Sequence, residues 1–403
     1  MSAPSVAPAR AVAPAATTPV WLSLAALALG GFGIGTTEFA TMGVLPEVAG
    51  DLHASIPQAG HLVSAYALGV VVGAPLLAVV GARLPRKALL LTLMTAFAVG
   101  NALSALAPTF GSLALARFAS GLPHGAYFGT ASIVAASLVP PERRARAVAR
   151  VMLGLTVANV VGVPLATLLG QQLGWRSTYW TVSVIGVLTI AAVSRFVPRL
   201  SAPDGASPRR ELGALRRPQV WLTLLVGGVG FGGMFAVYSY IAPTLTGVSG
   251  FRESQVPIAL ALFGVGMTVG TEIGGRLADR SVVRTIAAGL SSVVVVLLAF
   301  TVTAHSAVPA AVTVLLIGLS SALFLPALQT RLMDVAGDAQ SLAAAGNHSA
   351  LNVANAVGAA LGGAVIAAGL GYTAPAVVGA GLALGGLGVL GVSVALERRR
   401  PLS

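Results

Sequence analysis

The chain has 403 residues, of which 56% are hydrophobic and only 9% are charged. A soluble domain carries roughly 25% charged residues, so water cannot be the main solvent of this protein. Cysteine is absent, which excludes a disulfide framework, a zinc site built on cysteine and an iron–sulfur cluster. The net charge of +12 is compatible with nucleic-acid binding, but the basic residues lie between apolar stretches, so we expect no nucleic-acid partner.

Twelve apolar stretches are each long enough to cross ~30 Å of hydrocarbon as a helix. They are numbered spans 1 to 12 and are predicted at 21–45, 58–80, 88–107, 111–138, 148–170, 178–197, 219–242, 256–275, 284–304, 308–329, 341–369 and 373–395. The predicted fold class is an all-α polytopic membrane protein with twelve transmembrane helices in two pseudo-symmetric six-helix bundles.

The segments around the spans complete the predicted domain organisation. Residues 1–19 are rich in Ala and Pro without an apolar run, which predicts a disordered cytoplasmic tail and not a signal peptide. Residues 198–218 are rich in Pro, Ser and Arg and are the predicted cytoplasmic linker. The bundles are predicted at 20–197 and 219–396, and residues 397–403 form a basic tail.

Basic residues are concentrated on one side of the predicted membrane. With alternating spans, 21 of the 24 Lys and Arg residues fall on the side of the two termini, and only Arg176 and Arg252 fall on the other side. Arg117 lies within span 4. Cytoplasmic loops carry an excess of Lys and Arg, so the pattern predicts a multi-pass protein of the cell membrane with both termini in the cytoplasm.

The chain also repeats itself at a nearly constant spacing. Pro46 and Pro243, Gly69 and Gly266, and Gly73 and Gly270 are each 197 residues apart. Asn159 in span 5 and Asn355 in span 11 lie in similar segments 196 residues apart. Two halves in the same orientation are the parallel repeat that places a substrate site between the halves, near the middle of the bilayer.

Several motifs resemble the major facilitator superfamily, and within it the drug:proton antiporters, over almost the whole chain. The loop after span 8 reads Gly275-Arg-Leu-Ala-Asp279-Arg280, which is similar to the superfamily's cytoplasmic gating motif. The equivalent loop after span 2 has Arg83, Arg86 and Lys87 without the usual Asp. Span 4 contains Arg117-Phe-Ala-Ser-Gly121, and Gly162-Val-Pro164 with Gly154 approximates the antiporter motif of span 5.

The residues of span 1 narrow the resemblance to one subgroup of bacterial exporters. Gly35-Thr-Thr-Glu38-Phe39, followed by Leu45-Pro-Glu47, is similar to the bacterial exporters that include chloramphenicol-resistance proteins and arabinose-efflux-type permeases. The resemblance implies alternating access driven by a proton gradient. It also implies that spans 2, 5, 8 and 11, which carry small residues at steps of four, form the contact between the halves.

Two ionisable residues inside the spans are the strongest candidates for proton coupling, because a charged group in hydrocarbon is costly and is retained mainly for function. Glu38 lies about 17 residues into span 1 and can change its protonation state. Arg117 cannot lose its charge in a protein, so it needs water or an acceptor; we expect it to balance the charge of the coupling site. The alternatives are a Glu38 in a wet vestibule and a purely structural Arg117.

Further residues are predicted in the pathway or as relays, with a packing or hydrogen-bonding role as the alternative for each. They are His124, His348, Asn159, Asn355, Tyr127, Phe235 and Tyr238. At the cytoplasmic end of span 8, Asp279 is expected to pair with the Arg143–Arg150 cluster, or to accept hydrogen bonds at the start of span 5, in the state that is closed on that side.

The sequence contains no phosphate-binding loop and no nucleophile or metal-ligand cluster, so we predict neither an enzyme nor a cofactor or metal site. The predicted function is proton-coupled efflux of a small amphipathic compound, an antibiotic such as chloramphenicol. Export of a sugar or another metabolite is the first alternative, and a non-transporting membrane receptor is the second. The expected partners are the substrate, protons and the lipid bilayer, with a monomer sufficient for function.

Overall fold

The computed structural model describes residues 19–81, 84–140, 143–199, 217–336 and 340–398. Within these ranges every regular element is a helix, as the composition predicts. Most of the two predicted tails and of the linker lies outside the described residues, and so does Arg83 of the predicted gating motif.

The first half contains spans 1 to 6. Spans 1, 2, 3 and 6 are Val20–Gly43, Ile56–Gly81, Arg86–Leu106 and Arg176–Phe196. Span 4 consists of Phe110–Gly121 and His124–Ser137, and span 5 of Arg144–Val157, a π-helical turn at Ala158–Gly162, and Val163–Leu173. A short helix, Leu45–Asp51, follows span 1.

The second half contains spans 7 to 12. Span 7 consists of Pro218–Gly230, Gly232–Tyr238 and Ile241–Gly247, and span 10 of Ala307–Leu323 and Leu325–Ala336. Spans 8, 9, 11 and 12 are Val256–Ala278, Val282–Thr303, Gln340–Ala367 and Ala374–Arg398. A 3₁₀ turn, Glu253–Gln255, precedes span 8.

Eleven of the spans contain a helix long and apolar enough to cross a membrane within the described residues. Span 4 is the exception because two turn residues, Leu122 and Pro123, divide it into helices of 12 and 14 residues. Proline has no backbone N–H and its ring displaces the preceding turn. Together the two helices make the predicted fourth crossing, and the predicted architecture of twelve spans is confirmed.

Span 5 contains one residue more than a regular helix would need. The amide of Val163 bonds to the carbonyl of Ala158, five residues earlier, which defines the π-helical turn. Pro164 follows directly and cannot donate a backbone hydrogen bond. Such turns often occur at functional sites, and here the turn carries Asn159.

The small residues at steps of four pack inside each half, which corrects the predicted role of these faces. A side chain at Gly69 of span 2 would meet the carbonyl of Phe118 in span 4, and one at Gly266 of span 8 would meet the carbonyl of Leu315 in span 10. Gly154 of span 5 faces span 1, and Gly358 of span 11 faces span 7 in the same way. Close backbone packing therefore consolidates each bundle.

The halves meet through other faces of the same four spans. Gly264 of span 8 packs against the backbone of Asn159 in span 5. Ser64 of span 2 donates its hydroxyl to the carbonyl of Ala356 in span 11, at 3.1 Å. The predicted four spans do join the halves. They do so through faces other than those that carry the small residues at steps of four.

One end of the bundle is sealed. We call the side where span 1 begins and span 12 ends the terminal side, and the other the opposite side. On the opposite side Tyr240 of span 7 packs against Gly60 of span 2 and donates its hydroxyl to the carbonyl of Ala359, at 2.7 Å. Leu45, Ala49 and Ala59 form a buried cluster with Tyr240, so residues of both halves close this side.

The packing of span 8 on span 10 generates a prediction about stability. Gly266→Val places a side chain against the Leu315 carbonyl, and overpacking of this kind costs about 1–3 kcal/mol. We expect a lower apparent melting temperature and less folded protein in detergent. Gly275→Val in the same helix is the matched control, because a side chain there meets no atom within 4 Å. Equal melting temperatures for the two variants would contradict the prediction.

Candidate functional site

Arg117 lies at the centre of a polar cluster in the first half. Its side chain is fully buried. Nη1 donates to the hydroxyl of Thr37 in span 1, at 3.0 Å, and Nη2 donates to the Thr37 carbonyl, at 3.1 Å. Nε has no partner among the described residues. A buried guanidinium stays charged, so the cluster must stabilise a full positive charge inside the protein.

Aromatic rings and a second hydrogen bond complete the surroundings of Arg117. The guanidinium carbon lies 4.3 Å from the ring centroid of Tyr66 in span 2 and 5.4 Å from that of Tyr179 in span 6, within the range of cation–π attraction. The Thr37 hydroxyl in turn donates a hydrogen bond to Oδ1 of Asn101 in span 3, at 2.7 Å. Arg117 thus connects span 4 to spans 1, 2 and 6 directly, and to span 3 through Thr37.

Glu38 follows Thr37 in the chain and is 8% exposed. Its carboxyl interacts electrostatically with Arg117, but the two side chains form no ion pair because the terminal guanidinium nitrogens bond to Thr37. The carboxyl also lies beside the side-chain amide of Asn355 in span 11. The predicted coupling acid therefore lies where the two halves meet.

Two side-chain amides retain unused hydrogen-bonding capacity at this interface. Both amide atoms of Asn355 are buried without a hydrogen bond of standard geometry to any described residue. Asn159 donates to the carbonyl of Leu155, at 3.0 Å, while its Oδ1 has no partner. An unsatisfied buried polar group costs about 1–3 kcal/mol, so these repeat-related residues are suited to binding a polar group that enters the interface.

The two predicted relay histidines lie close together on the terminal side of Glu38. His124 Nδ1 is 3.1 Å from the Tyr66 hydroxyl, and the ring of His124 is 6.2 Å from that of His348 in span 11. His348 stacks on Phe128, with ring centroids 5.5 Å apart. Tyr66 thus joins the surroundings of Arg117 to a pair of imidazoles that spans both halves.

Four aromatic side chains form a second interface between the halves. Phe39 of span 1 stacks on Phe235 of span 7, at 5.9 Å between centroids, and contacts Tyr238 edge-on at 5.7 Å. Tyr238 stacks on Phe263 of span 8 at 3.9 Å. Tyr127, predicted with this group, lies elsewhere: its hydroxyl donates to the Leu27 carbonyl at 2.8 Å, inside the first half.

The predicted gating motifs lie on the terminal side. Lys87 donates to the carbonyl of Ser194 in span 6, at 2.7 Å, and Arg86 at the start of span 3 is partly buried. Gly275, Asp279 and Arg280 are at the end of span 8, where Asp279 is exposed and forms no ion pair with a described residue. The predicted pairing of Asp279 with Arg143–Arg150 is not formed in this structure.

Sequence reasoning did not single out Thr37, Tyr66, Tyr179 or Phe39. Thr37 and Phe39 flank Glu38 in the span 1 motif, so their proximity to the site could have been inferred. Tyr66 and Tyr179 stand alone in apolar stretches, and only the packing of spans 2 and 6 against span 4 reveals their role. Within the described part of the chain, no group of three or more His, Cys, Asp or Glu residues is placed to hold a metal ion.

The Thr37 hydroxyl is a testable element of this cluster. Thr37→Val removes one acceptor of Arg117 and the donor to Asn101, so we expect a loss of about 1–3 kcal/mol of stability and a lower apparent melting temperature in detergent. Thr92→Val is the matched control, since Thr92 is exposed and bonds only to the Ala88 carbonyl of its own helix. A similar effect of both substitutions would argue against a special role of Thr37.

Comparison with known proteins places this architecture in a family. The family model of the Major Facilitator Superfamily matches residues 27–349. The inner membrane transport protein YdhP of Escherichia coli (strain K12) is 44% identical over 364 residues, which are 90% of this chain and 94% of YdhP. AraJ of the same strain is 38% identical over 86% of this chain and 88% of its own.

A relative with a resistance function and a solved structure are also similar. The chloramphenicol resistance protein of Streptomyces lividans is 35% identical over 87% of this chain and 90% of its own. The inward-facing, unoccupied crystal structure of a bacterial homologue of the human lysosomal transporter Spinster superposes with a TM-score of 0.70 at 20% identity, covering 95% of this chain and 99% of that one. The chain belongs to the Major Facilitator Superfamily and is a multi-pass membrane transporter.

Proposed function

We propose that this transporter exports a small amphipathic compound, such as the antibiotic chloramphenicol, in exchange for protons. The observation that carries the proposal is the position of Glu38, which is buried beside the permanent charge of Arg117 and faces Asn355 of the other half. A carboxyl at this junction experiences a different environment whenever the halves move. The relative from Streptomyces lividans supports the choice of chloramphenicol as the first substrate to test.

Glu38 would couple proton movement to alternating access as follows. Access to water favours the ionised carboxyl and burial favours the neutral acid, while the charge of Arg117 favours the ionised form. A proton taken up by Glu38 from the opposite side is released to the terminal side after the halves rock. Tyr66, His124 and His348 lie in sequence toward the terminal side and would carry the proton in steps.

The substrate would bind between the halves. Phe39, Phe235 and Tyr238 offer flat apolar surfaces, and Asn159 and Asn355 offer unused donors and acceptors. Pockets of this kind, mainly apolar with a few placed polar groups, fix the orientation of a small ligand. The same amides can bond to the hydroxyls of a sugar, so sugar or metabolite export is the alternative function.

The terminal gate would involve the motif at the end of span 8. Asp279, exposed in this structure, would pair with the Arg143–Arg150 cluster when the terminal side closes. Antiporter motif residues Gly154, Gly162 and Pro164 shape span 5, which forms one wall of that gate. A single chain contains both halves of the proposed site, so a monomer would suffice.

The first test is transport of chloramphenicol into energised inverted membrane vesicles. We expect the wild-type protein to accumulate chloramphenicol, a protonophore to abolish accumulation, and Glu38→Gln to reduce it at least tenfold because the variant cannot exchange a proton. Asp51→Asn is a control in which a carboxylate outside the spans is removed. In the wild-type protein, Asp51 forms an ion pair with Arg176, with the nitrogen and oxygen 2.6 Å apart.

Two results would contradict the proposal. Transport by Glu38→Gln that is equal to the wild type and still sensitive to protonophore would assign coupling to another residue. Absence of chloramphenicol movement in vesicles that contain folded protein would exclude this drug, and the same vesicles would then be used with radiolabelled sugars.

We also propose that both termini lie in the cytoplasm. This orientation predicts which loops an external reagent can label in intact cells. The wild-type chain has no cysteine, so single-cysteine variants have no background. In intact cells, a membrane-impermeant maleimide should label Leu173→Cys on the opposite side, where Leu173 is 72% exposed. Leu84→Cys on the terminal side should react only after permeabilisation. The reverse pattern would invert the topology.

A further inference from the structure

Glu47 is a half-buried acid that the proposed mechanism does not use. It lies in the short helix Leu45–Asp51, directly after span 1 on the opposite side. Leu45, Val48 and Ala49 of this helix are buried, which fixes the helix against the rest of the protein. The Oε2 atom of Glu47 is buried and has no hydrogen-bond partner among the described residues.

The carboxyl of Glu47 lies at a junction of the two halves. Gln171, near the end of span 5 in the first half, donates its Nε2 hydrogen to the backbone carbonyl of Glu253 in the second half, at 3.1 Å. Glu47 interacts with the side-chain amide of Gln171 and with the carboxylate of Glu253. In the closed packing of the opposite side, the half-buried Glu47 of one half therefore lies near the exposed Glu253 of the other.

No described cation forms an ion pair with Glu47. On the same helix, Asp51 is bonded to Arg176 and Trp175. The other charged or titratable groups nearby are His53 after the helix, His61 of span 2 and Arg252 before the 3₁₀ turn, which are exposed, and Tyr240, which is buried and donates its hydroxyl to the Ala359 carbonyl. The packed segment Ile241–Gly247 carries none.

Burial is the largest effect and raises the pKa of Glu47 above its ordinary value, while its own backbone N–H opposes this increase. The negative charge of Glu253 adds a smaller increase, and Gln171 lowers the pKa least. In the open state both acids would be separated and hydrated, so the pKa would return toward the ordinary value. The protonated form therefore favours closure. The stabilisation of the closed state by protonated Glu47 is complete below the ordinary pKa of a glutamic acid. It is lost as the pH rises through the raised pKa that Glu47 has in the closed state.

We propose that Glu47 is a second proton-binding site of this transporter, whose protonated carboxyl holds the opposite side closed. On closing, the Glu47 carboxylate takes one proton from the solution on that side, and on opening it returns the proton to the same solution. The site rests on the closed packing of the opposite side and does not require Glu38 to be the coupling acid.

The test measures the distance between the halves as a function of pH, without substrate. Spin labels are attached at Leu173→Cys, at the end of span 5, and at Leu370→Cys, in the loop after span 11, both exposed on the opposite side. The background is Glu38→Gln, which removes the buried acid of span 1. Electron–electron double resonance should show an open population that grows as the pH rises. In Glu47→Gln the growth should be lost, because the neutral amide keeps the closed state at every pH.

A second variant tests the role of the neighbouring charge. Glu253→Gln removes the carboxylate that disfavours ionised Glu47, so the closed state should tolerate that ionisation better and the open population should be smaller at high pH. Glu272→Gln is the matched control: it removes an exposed carboxylate from the terminal side, where Glu272 pairs with Arg276, and should leave the pH profile unchanged.

The proposal is overturned if the parent shows no pH-dependent opening of the opposite side, or if Glu47→Gln has the same pH profile as the parent. If Glu47→Gln does not fold, an unchanged open population in Glu253→Gln overturns it instead. Because chloramphenicol is absent, failure here is distinct from failure of the proposed export function.

Discussion

The charge of Arg117 is the constraint on which the rest of the site depends. A guanidinium keeps its proton in any protein environment, so a fully buried one requires permanent acceptors and polarisable neighbours. Thr37 supplies the acceptors and Tyr66 and Tyr179 supply the rings. Glu38 is consequently left without a direct ion pair, and its proton affinity can respond to the other half of the molecule.

The distribution of packing types explains how such a molecule can move. Glycine faces bring backbones into contact within each half, between spans 2 and 4 and between spans 8 and 10, and contacts of this kind do not tolerate sliding. Between the halves, apart from the packing of Gly264 on the backbone of Asn159, the structure relies mainly on aromatic side chains, single hydrogen bonds and unpaired amides. Rigid bundles with an adaptable interface are what rocking motions need.

Hydropathy and charge placement were sufficient to predict the twelve spans, because the thickness of the bilayer dictates helix length. They also drew attention to Glu38 and Arg117, since charges are rare in spans. The sequence could not reveal that Arg117 bonds to Thr37, that Tyr127 belongs to the interior of one half, or that the glycine faces point inward to their own bundle. Those facts depend on how helices are rotated about their axes, and a nearly uniform apolar pattern carries little information on rotation.

The π-helical turn at Ala158–Gly162 has a consequence for how this chain can vary. One residue turns a helix by about 100°, and the turn accommodates one residue in excess. Deleting a single residue there would restore a regular helix without turning the two flanking parts of span 5, so Gly154 would still face span 1, whereas the same deletion elsewhere in span 5 would turn one part against the other by that angle. The turn is therefore the place in span 5 where the chain can lose one residue with the least disturbance of the packing on either side.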